Sequence, residues 1–393
     1  MKVLYHHRTQ GTGAEGVHIA YVIKGLTDLG HSVDVISPYD TDPRTTAGNN
    51  PFSQKKGLRK KILSLLSKYA PQSVFEMMEM LYNRTATCKL TKQLDNKPVD
   101  LMYERYAFFL SSGCRIAKQR KIPFIVEVNE IVGEKRVRNQ VFVNKAKRIE
   151  REVFEQADAI IVVSRFLKQK IADQGIDEDK IHVIANGVDI SEFDSAIDGR
   201  ELRKANNISE ETVIIGFIGW FVPWHKLERL ITIFSKLDMP NTQLMLVGDG
   251  LLKDELMKLA KQTKVADRVI FTGPVLYQNI PEYVSAMDIC VIPESNDYRS
   301  PIKMFEYMAM GKAVLAPDYE PIVSVIEHGK DGFIFDRANE EDYAYKLSLL
   351  AQDKQLRDQL GIHASETIID RHLWIHNAQR VLDIYNDVKG ERS

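Results

Sequence analysis

One local pattern recurs in this chain and limits its fold more than any other: an apolar strand, a glycine-bearing loop, an apolar-faced helix and a second strand. It first appears at Lys2-Val3-Leu4-Tyr5, where Gly11, Gly13 and Gly16 follow and Ile19, Val22, Ile23, Leu26 and Leu29 recur at helical spacing. Gly30 closes that helix and residues 33–36 form the next strand. The pattern returns at residues 213–218, a continuous apolar run of the kind that a strand covered on both faces requires. Gly219 follows, then a helix over 227–237 and a strand over 244–247 ending in Gly248-Asp249-Gly250. Strand, glycine loop, helix, strand is half of a doubly wound α/β domain.

The alternation continues with helices over 251–262, 279–286 and 302–310 and strands over 269–271, 289–292 and 313–315. Earlier strands are predicted at 101–103, 124–128, 159–163 and 181–184. Such connections demand parallel sheets with right-handed crossovers. Polar, turn-prone residues cluster over 190–210, so the first domain is expected to span 1–195 and the second 196–372. A closing amphipathic helix over 373–393 would return to the first domain. With 393 residues, the chain is long enough for two such cores.

A net charge of -1 gives no reason to expect a nucleic-acid partner. Cys88, Cys114 and Cys290 are widely spaced, which fits neither a disulfide framework nor a zinc site. His6 and His7 are adjacent on a strand and point to opposite faces, so they make a poor metal pair. No metal is expected. Polar residues interrupt the N-terminal stretch and no long apolar run follows, so the expectation is a cytoplasmic chain. Residues 52–75 hold Lys55, Lys56, Arg59, Lys60, Lys61 and Lys68 without an acidic residue, interleaved with Ile62, Leu63, Leu65 and Leu66; Met77, Met78, Met80 and Leu81 follow. Two readings of residues 52–82 stand side by side: a basic amphipathic helix lying on the inner face of an anionic membrane, and an insertion packed on its own domain.

The run Ser300-Pro301-Ile302-Lys303-Met304-Phe305-Glu306-Tyr307-Met308-Ala309-Met310-Gly311 resembles the donor-site segment of GT-B glycosyltransferases, family 4 in particular. Ala185-Asn186-Gly187-Val188-Asp189, Gly248-Asp249-Gly250, Phe271-Thr272-Gly273 and Asp331-Gly332-Phe333 keep the family's order. The resemblance implies two Rossmann-like domains facing a central cleft, a nucleotide-diphosphate sugar as donor with a UDP-sugar favoured, no other cofactor, and retention of configuration. It implies Lys303, Glu306 and His225 as catalytic residues. Together with the residues' own chemistry, glycine's open backbone included, it puts on the donor Gly11, Gly13, Gly219, Lys226, Gly248, Gly250, Val275, Tyr298, Arg299, Ser300, Pro301 and Ile302. Physical chemistry agrees: a helix start presents backbone N–H groups to a pyrophosphate, and Pro suits a first turn. Lys303 in that turn opposes the helix dipole, a cost that a bound pyrophosphate would offset. Glu306, one turn on, is expected at the ribose hydroxyls; a plain Lys303–Glu306 surface pair is the alternative.

The chain departs from the family twice. The first of the family's two glutamates would stand eight residues before Glu306, where Tyr298 is found. In the loop after residue 218, Trp220 occupies the family's Arg position and His225 its Lys position, with Lys226 next to it. Trp220 is expected in the core and Trp224 in the loop. In the first domain Arg105, Glu127 and Asn129 lie just past strand ends and are candidates for a saccharide or lipid-linked acceptor. Three rival readings are a GT-B-like sugar-nucleotide epimerase, a NAD-dependent oxidoreductase and a non-catalytic binding module.

Overall fold

The computed structural model describes residues 1–38, 40–46, 71–134 and 140–392. The basic stretch 52–70 lies outside the described residues, while 72–82 opens the long helix Gln72–Asn96. The chain forms two compact units, Met1–Ala185 with Trp374–Ser393, and Asn186–Leu373.

The first unit is a six-stranded parallel sheet built from β1 (Lys2–His6), β2 (Ser32–Ile36), β3 (Leu101–Arg105), β4 (Phe124–Val128), β5 (Ala159–Val162) and β6 (Ile181–Val183), in the order β2-β1-β3-β4-β5-β6. Order reverses between β1 and β3. Val3, Leu4, Leu101, Met102, Ile125, Val126 and Ile160 are almost wholly buried, as expected for strands with helices on both faces. The helix Gly13–Asp28 lies against Trp374–Arg392: the Trp374 ring stacks on Tyr21 at 6.0 Å and meets His18 edge-on at 5.0 Å. A Cβ on Gly25 would sit 2.8 Å from the Trp374 carbonyl oxygen, so a glycine is what lets the backbones touch.

The second unit holds β7 (Val213–Ile218), β8 (Thr242–Val247), β9 (Val269–Gly273), β10 (Ile289–Val291), β11 (Ala313–Pro317) and β12 (Phe333–Phe335), all parallel, in the order β12-β11-β10-β7-β8-β9. Here order reverses between β7 and β10. Ile215, Phe217, Leu244, Leu246, Ile289, Val291 and Leu315 form its core together with Leu230, Ile231 and Phe234 from the helix Leu227–Ser235.

The units divide between Ala185 and Asn186, ahead of the polar 190–210 stretch. Hydrogen bonding, not composition, draws the line. Asn186 donates to Ser300, and Val188 N donates to the His372 carbonyl at 3.0 Å, so residues 186–188 are held by the second unit. Trp220 is 44% exposed, contrary to the expected core position. Gly219 turns the chain at φ +148°, and the core place goes to Phe221, which is fully buried and whose N–H donates to the Asp249 carbonyl.

Candidate active site

Open α/β sheets bind ligands past the carboxyl ends of the strands, where strand order reverses. In the second unit that place lies past β7 and β10. A Cβ on Gly219 would fall 2.7 Å from Lys303 Nζ, and one on Gly248 only 2.0 Å from the Gly219 carbonyl oxygen. These loops therefore approach one another backbone to backbone, at a spacing that side chains would prevent.

The helix Ile302–Ala309 begins just after Pro301, and no side chain caps it. Its early N–H groups are thus offered to whatever lies in front. Two internal ties fix that helix end. The Tyr307 hydroxyl accepts the Ile218 N–H at 2.9 Å, locking the helix to the end of β7. Asn186 N–H donates to Ser300 Oγ at 3.2 Å and Asn186 Nδ2 to the Ser300 carbonyl at 2.6 Å, which gives Asn186 a structural role. Asn296 Oδ1 accepts the N–H groups of Tyr298 and Arg299 at 3.2 and 2.9 Å and so shapes the approach to the helix. Tyr298 is buried, with the Arg299 guanidinium 5.3 Å from its ring centre.

Lys303 Nζ sits 4.1 Å over the centre of the Phe217 ring. Burial lowers its pKa to about 7, against the pull of Glu306. Glu306 is buried, and the Tyr277 hydroxyl donates to its Oε1 at 2.7 Å. Burial raises this carboxyl to about 7, countered by the Tyr277 hydrogen bond and by Lys303. Lys303 and Glu306 form no ion pair among the described residues, which removes the surface-pair alternative. His225 Nδ1 donates to the Trp220 carbonyl at 2.6 Å. Burial first, then Lys303, hold its pKa near 3. His225 is therefore neutral with a lone pair on Nε2, and the positive charge expected from it rests with Lys303 and Arg299. Lys226 adopts a left-handed backbone at φ +50° and is exposed where the helix Leu227–Ser235 begins. Val275 is half-buried in the loop that leads from β9 to Tyr277.

In the first unit, the ends of β1, β3 and β4 carry a second polar cluster. Glu127 is buried. Its Oε1 accepts from Arg105 Nη1 at 2.6 Å and Asn129 Nδ2 at 2.6 Å and pairs with His18 Nε2 at 2.8 Å; its Oε2 accepts from the Tyr103 hydroxyl at 2.9 Å. Burial opposes its charge, but His18 and Arg105 together hold its pKa down at about 2. Both oxygens are thus engaged by the protein, and Glu127 holds Arg105 and Asn129 in place. Gly11 and Gly13 have φ of +69° and +65°, and a Cβ on Gly16 would fall 2.4 Å from the Gly11 carbonyl carbon.

Residues 198–367 match the model of the glycosyl transferases group 1, and residues 15–192 that of glycosyltransferase family 4. The chain belongs to the GT-B glycosyltransferases of the family 4 type. An uncharacterized glycosyltransferase of Methanocaldococcus jannaschii is 26% identical over 231 residues, which span 58% of this chain and 59% of that protein. The matched part is thus less than two thirds of that relative's own length. Among solved structures, Anabaena HepE in complex with UDP has a TM-score of 0.73 at 18% identity, covering 98% of this chain and 100% of that one. A glycosyltransferase from Rickettsia africae has a TM-score of 0.74 at 20% identity, covering 98% of both chains. These structural likenesses concern the fold.

In this glycosyltransferase the second unit gathers Gly219, His225, Gly248, Arg299, Ser300, Pro301, Ile302, Lys303 and Glu306 around the ends of β7, β8 and β10. Gly250 supports the same loops, since its Cβ would lie 2.5 Å from the Phe221 carbonyl oxygen. Gly11, Gly13, Arg105, Glu127 and Asn129 fall at the corresponding ends of the first sheet. Sequence reasoning missed Phe217, Tyr277 and Tyr307. Phe217 and Tyr307 read as core residues, and nothing in the spacing ties Tyr277 to Glu306, 29 positions on. Among the described residues there is no cluster of ligating side chains that could hold a metal ion, and no helix is long and apolar enough to cross a membrane.

Proposed function

We propose that this glycosyltransferase moves a hexosyl group from a UDP-sugar to a saccharide or lipid-linked acceptor, with retention of configuration, in the building of an envelope or extracellular polysaccharide. The observation that carries the donor side is the uncapped start of the helix Ile302–Ala309, with Lys303 Nζ beside the Gly219 turn, at the reversal point of the second sheet. HepE, of the same fold, has been seen with UDP and with UDP-glucose, which favours a uridine nucleotide here.

In this reading the pyrophosphate lies at the N–H groups of the helix start, which carry partial positive charge. Its dianionic charge raises the Lys303 pKa, so the ammonium binds it fully charged. Glu306, oriented by Tyr277, accepts from the ribose hydroxyls. The anomeric C–O bond breaks, its electron pair leaves on the β-phosphate oxygen, and the amides and Lys303 stabilise that developing charge. The acceptor hydroxyl forms the new C–O bond on the same face, and its proton passes to the departing β-phosphate oxygen. The acceptor side rests on Arg105 and Asn129. Residues 52–82 place the enzyme at the inner membrane face in this proposal, which a lipid-linked acceptor would require.

Thermal melting with UDP, GDP and NAD tests the donor reading. A ligand at about 100 times its Kd stabilises by about 2.7 kcal/mol, or roughly 5–10 °C for a domain of this size. UDP is expected to produce such a shift and NAD none; stabilisation by NAD alone would overturn the proposal. Mass-spectrometric screening of UDP-sugars with alkyl glycosides then identifies sugar and acceptor, and a changed sugar with no new glycoside would mark an epimerase.

A further inference from the structure

His7 immediately follows β1, at the point where the first sheet reverses its strand order. It is fully buried, and its ring meets Tyr5 edge-on at 6.2 Å. The Thr9 backbone N–H donates to His7 Nδ1 at 3.3 Å, and Thr9 Oγ1 stands 3.1 Å from the same atom. A backbone N–H can only donate, so Nδ1 carries the lone pair and the proton of the neutral ring is on Nε2. Burial, with smaller contributions from His6 and Arg105, holds the His7 pKa near 3, so the ring stays neutral. Nε2–H then finds no hydrogen-bond acceptor among the described residues.

A buried donor without an acceptor is expensive, because its water was lost and nothing replaced it. Tyr5 Oη and Glu104 Oε1 close by also lack a partner among the described residues, so this end of the sheet holds several unmet polar atoms. His6, on the other face of the strand, bonds to Glu104 and Tyr82, and Arg105 is held by Glu127. Thr9 Oγ1 also accepts the Gly11 N–H at 3.1 Å, so the glycine loop and the orientation of His7 are set by one residue. The second substrate of a sugar transfer is a hydroxylated molecule, rich in oxygen acceptors. The first sheet's reversal point is left for it once the donor is assigned to the second unit.

We propose that His7 is a ligand-binding residue, its Nε2–H donating to a hydroxyl oxygen of the saccharide acceptor beside Arg105; this rests on the glycosyltransfer reading above. The orphaned donor is what a carbohydrate oxygen completes, and a neutral imidazole suits an uncharged hydroxyl better than a cation would. Thr9 is the positioning residue that fixes the tautomer.

The test compares wild type, His7→Phe and His7→Gln, using UDP-sugars with octyl glycosides of glucose, galactose, mannose and N-acetylglucosamine as probes. Gln places an amide N–H near the position of Nε2, whereas Phe keeps the ring and removes the donor. For the glycoside that wild type accepts, H7F is expected to raise acceptor KM by roughly three- to tenfold, the worth of one neutral hydrogen bond. Donor KM and acceptor-free hydrolysis of the UDP-sugar should stay unchanged, H7Q should recover most of the loss, and H7F should melt no lower than wild type. Intact hydrolysis with an unchanged acceptor KM in H7F overturns this inference alone, as does a loss confined to donor KM. If H7F proves unfolded, H7Q decides: a folded H7Q whose acceptor KM rises about tenfold or more with donor KM unchanged refutes the donor role. A wild-type chain that turns over no nucleotide sugar removes both readings.

Discussion

Replacing Lys303 by Met should make the protein more stable and less able to bind nucleotide, because the site keeps a cation where the free fold does not want one. The fall of its pKa from 10.5 to about 7 corresponds to at most about 4.8 kcal/mol of penalty on the charged form. Lys303 is only partly shielded from solvent, and the Phe217 ring attracts its ammonium, so the working penalty is smaller, ~1–2 kcal/mol. Met keeps the length and apolar packing without the charge. The sign follows from linkage. The folded-state pKa lies below the unfolded one, so between them the unfolded chain binds more protons and wild-type stability rises with pH. The gain from K303M should thus be full below about pH 7 and shrink toward pH 10. By melting, K303M should exceed wild type by roughly 2–8 °C near pH 6 and by only a small part of that near pH 9.5. The same variant should lose the melting shift produced by UDP. A K303M protein that is less stable than wild type at both pH values would refute the burial argument. One that still responds to UDP would refute the donor-site argument.

Three further outcomes are expected. Tyr277→Phe removes the hydrogen bond that holds the Glu306 carboxyl down, so its pKa should rise above about 7; the acidic limb of the kcat/KM profile should move to higher pH, with donor KM up by roughly two- to tenfold. Glu127→Gln leaves Arg105 and His18 without their shared carboxylate and should cost ~3–5 kcal/mol in the first unit, read by melting. In wild type the stability linked to Glu127 is present above the unfolded value near 4.3 and is lost as pH falls through about 2, so E127Q should flatten that acid limb. Gly248→Ala places a methyl 2.0 Å from the Gly219 carbonyl at φ +138° and should weaken both UDP binding and the fold of the second unit; a variant that melts and binds like wild type would show that the loops can move apart.

The two sheets were legible in the sequence because parallel strands buried on both faces need near-continuous apolar runs; residues 213–218 supply one, and 124–128 one interrupted only by Glu127, both at the bounds the structure adopts. The Lys303 helix was legible for a similar reason: Pro301 can start a helix, and Gly311 with φ +64° can end one. Trp220 misled because an aromatic after an apolar strand reads as core, and only the Gly219 turn hands that place to Phe221.

What the sequence alone determined is the class of fold, the order of its elements and the strand ends at which chemistry is grouped, since periodicity and glycine placement are local properties. The tertiary structure decided what each polar group is free to do. It placed Tyr277 on Glu306, engaged both oxygens of Glu127, bound the Nδ1 proton of His225 to a carbonyl and left Nε2–H of His7 without an acceptor among the described residues. Partners such as these come from distant parts of the chain, and burial sets their charge only once the fold has excluded water around them.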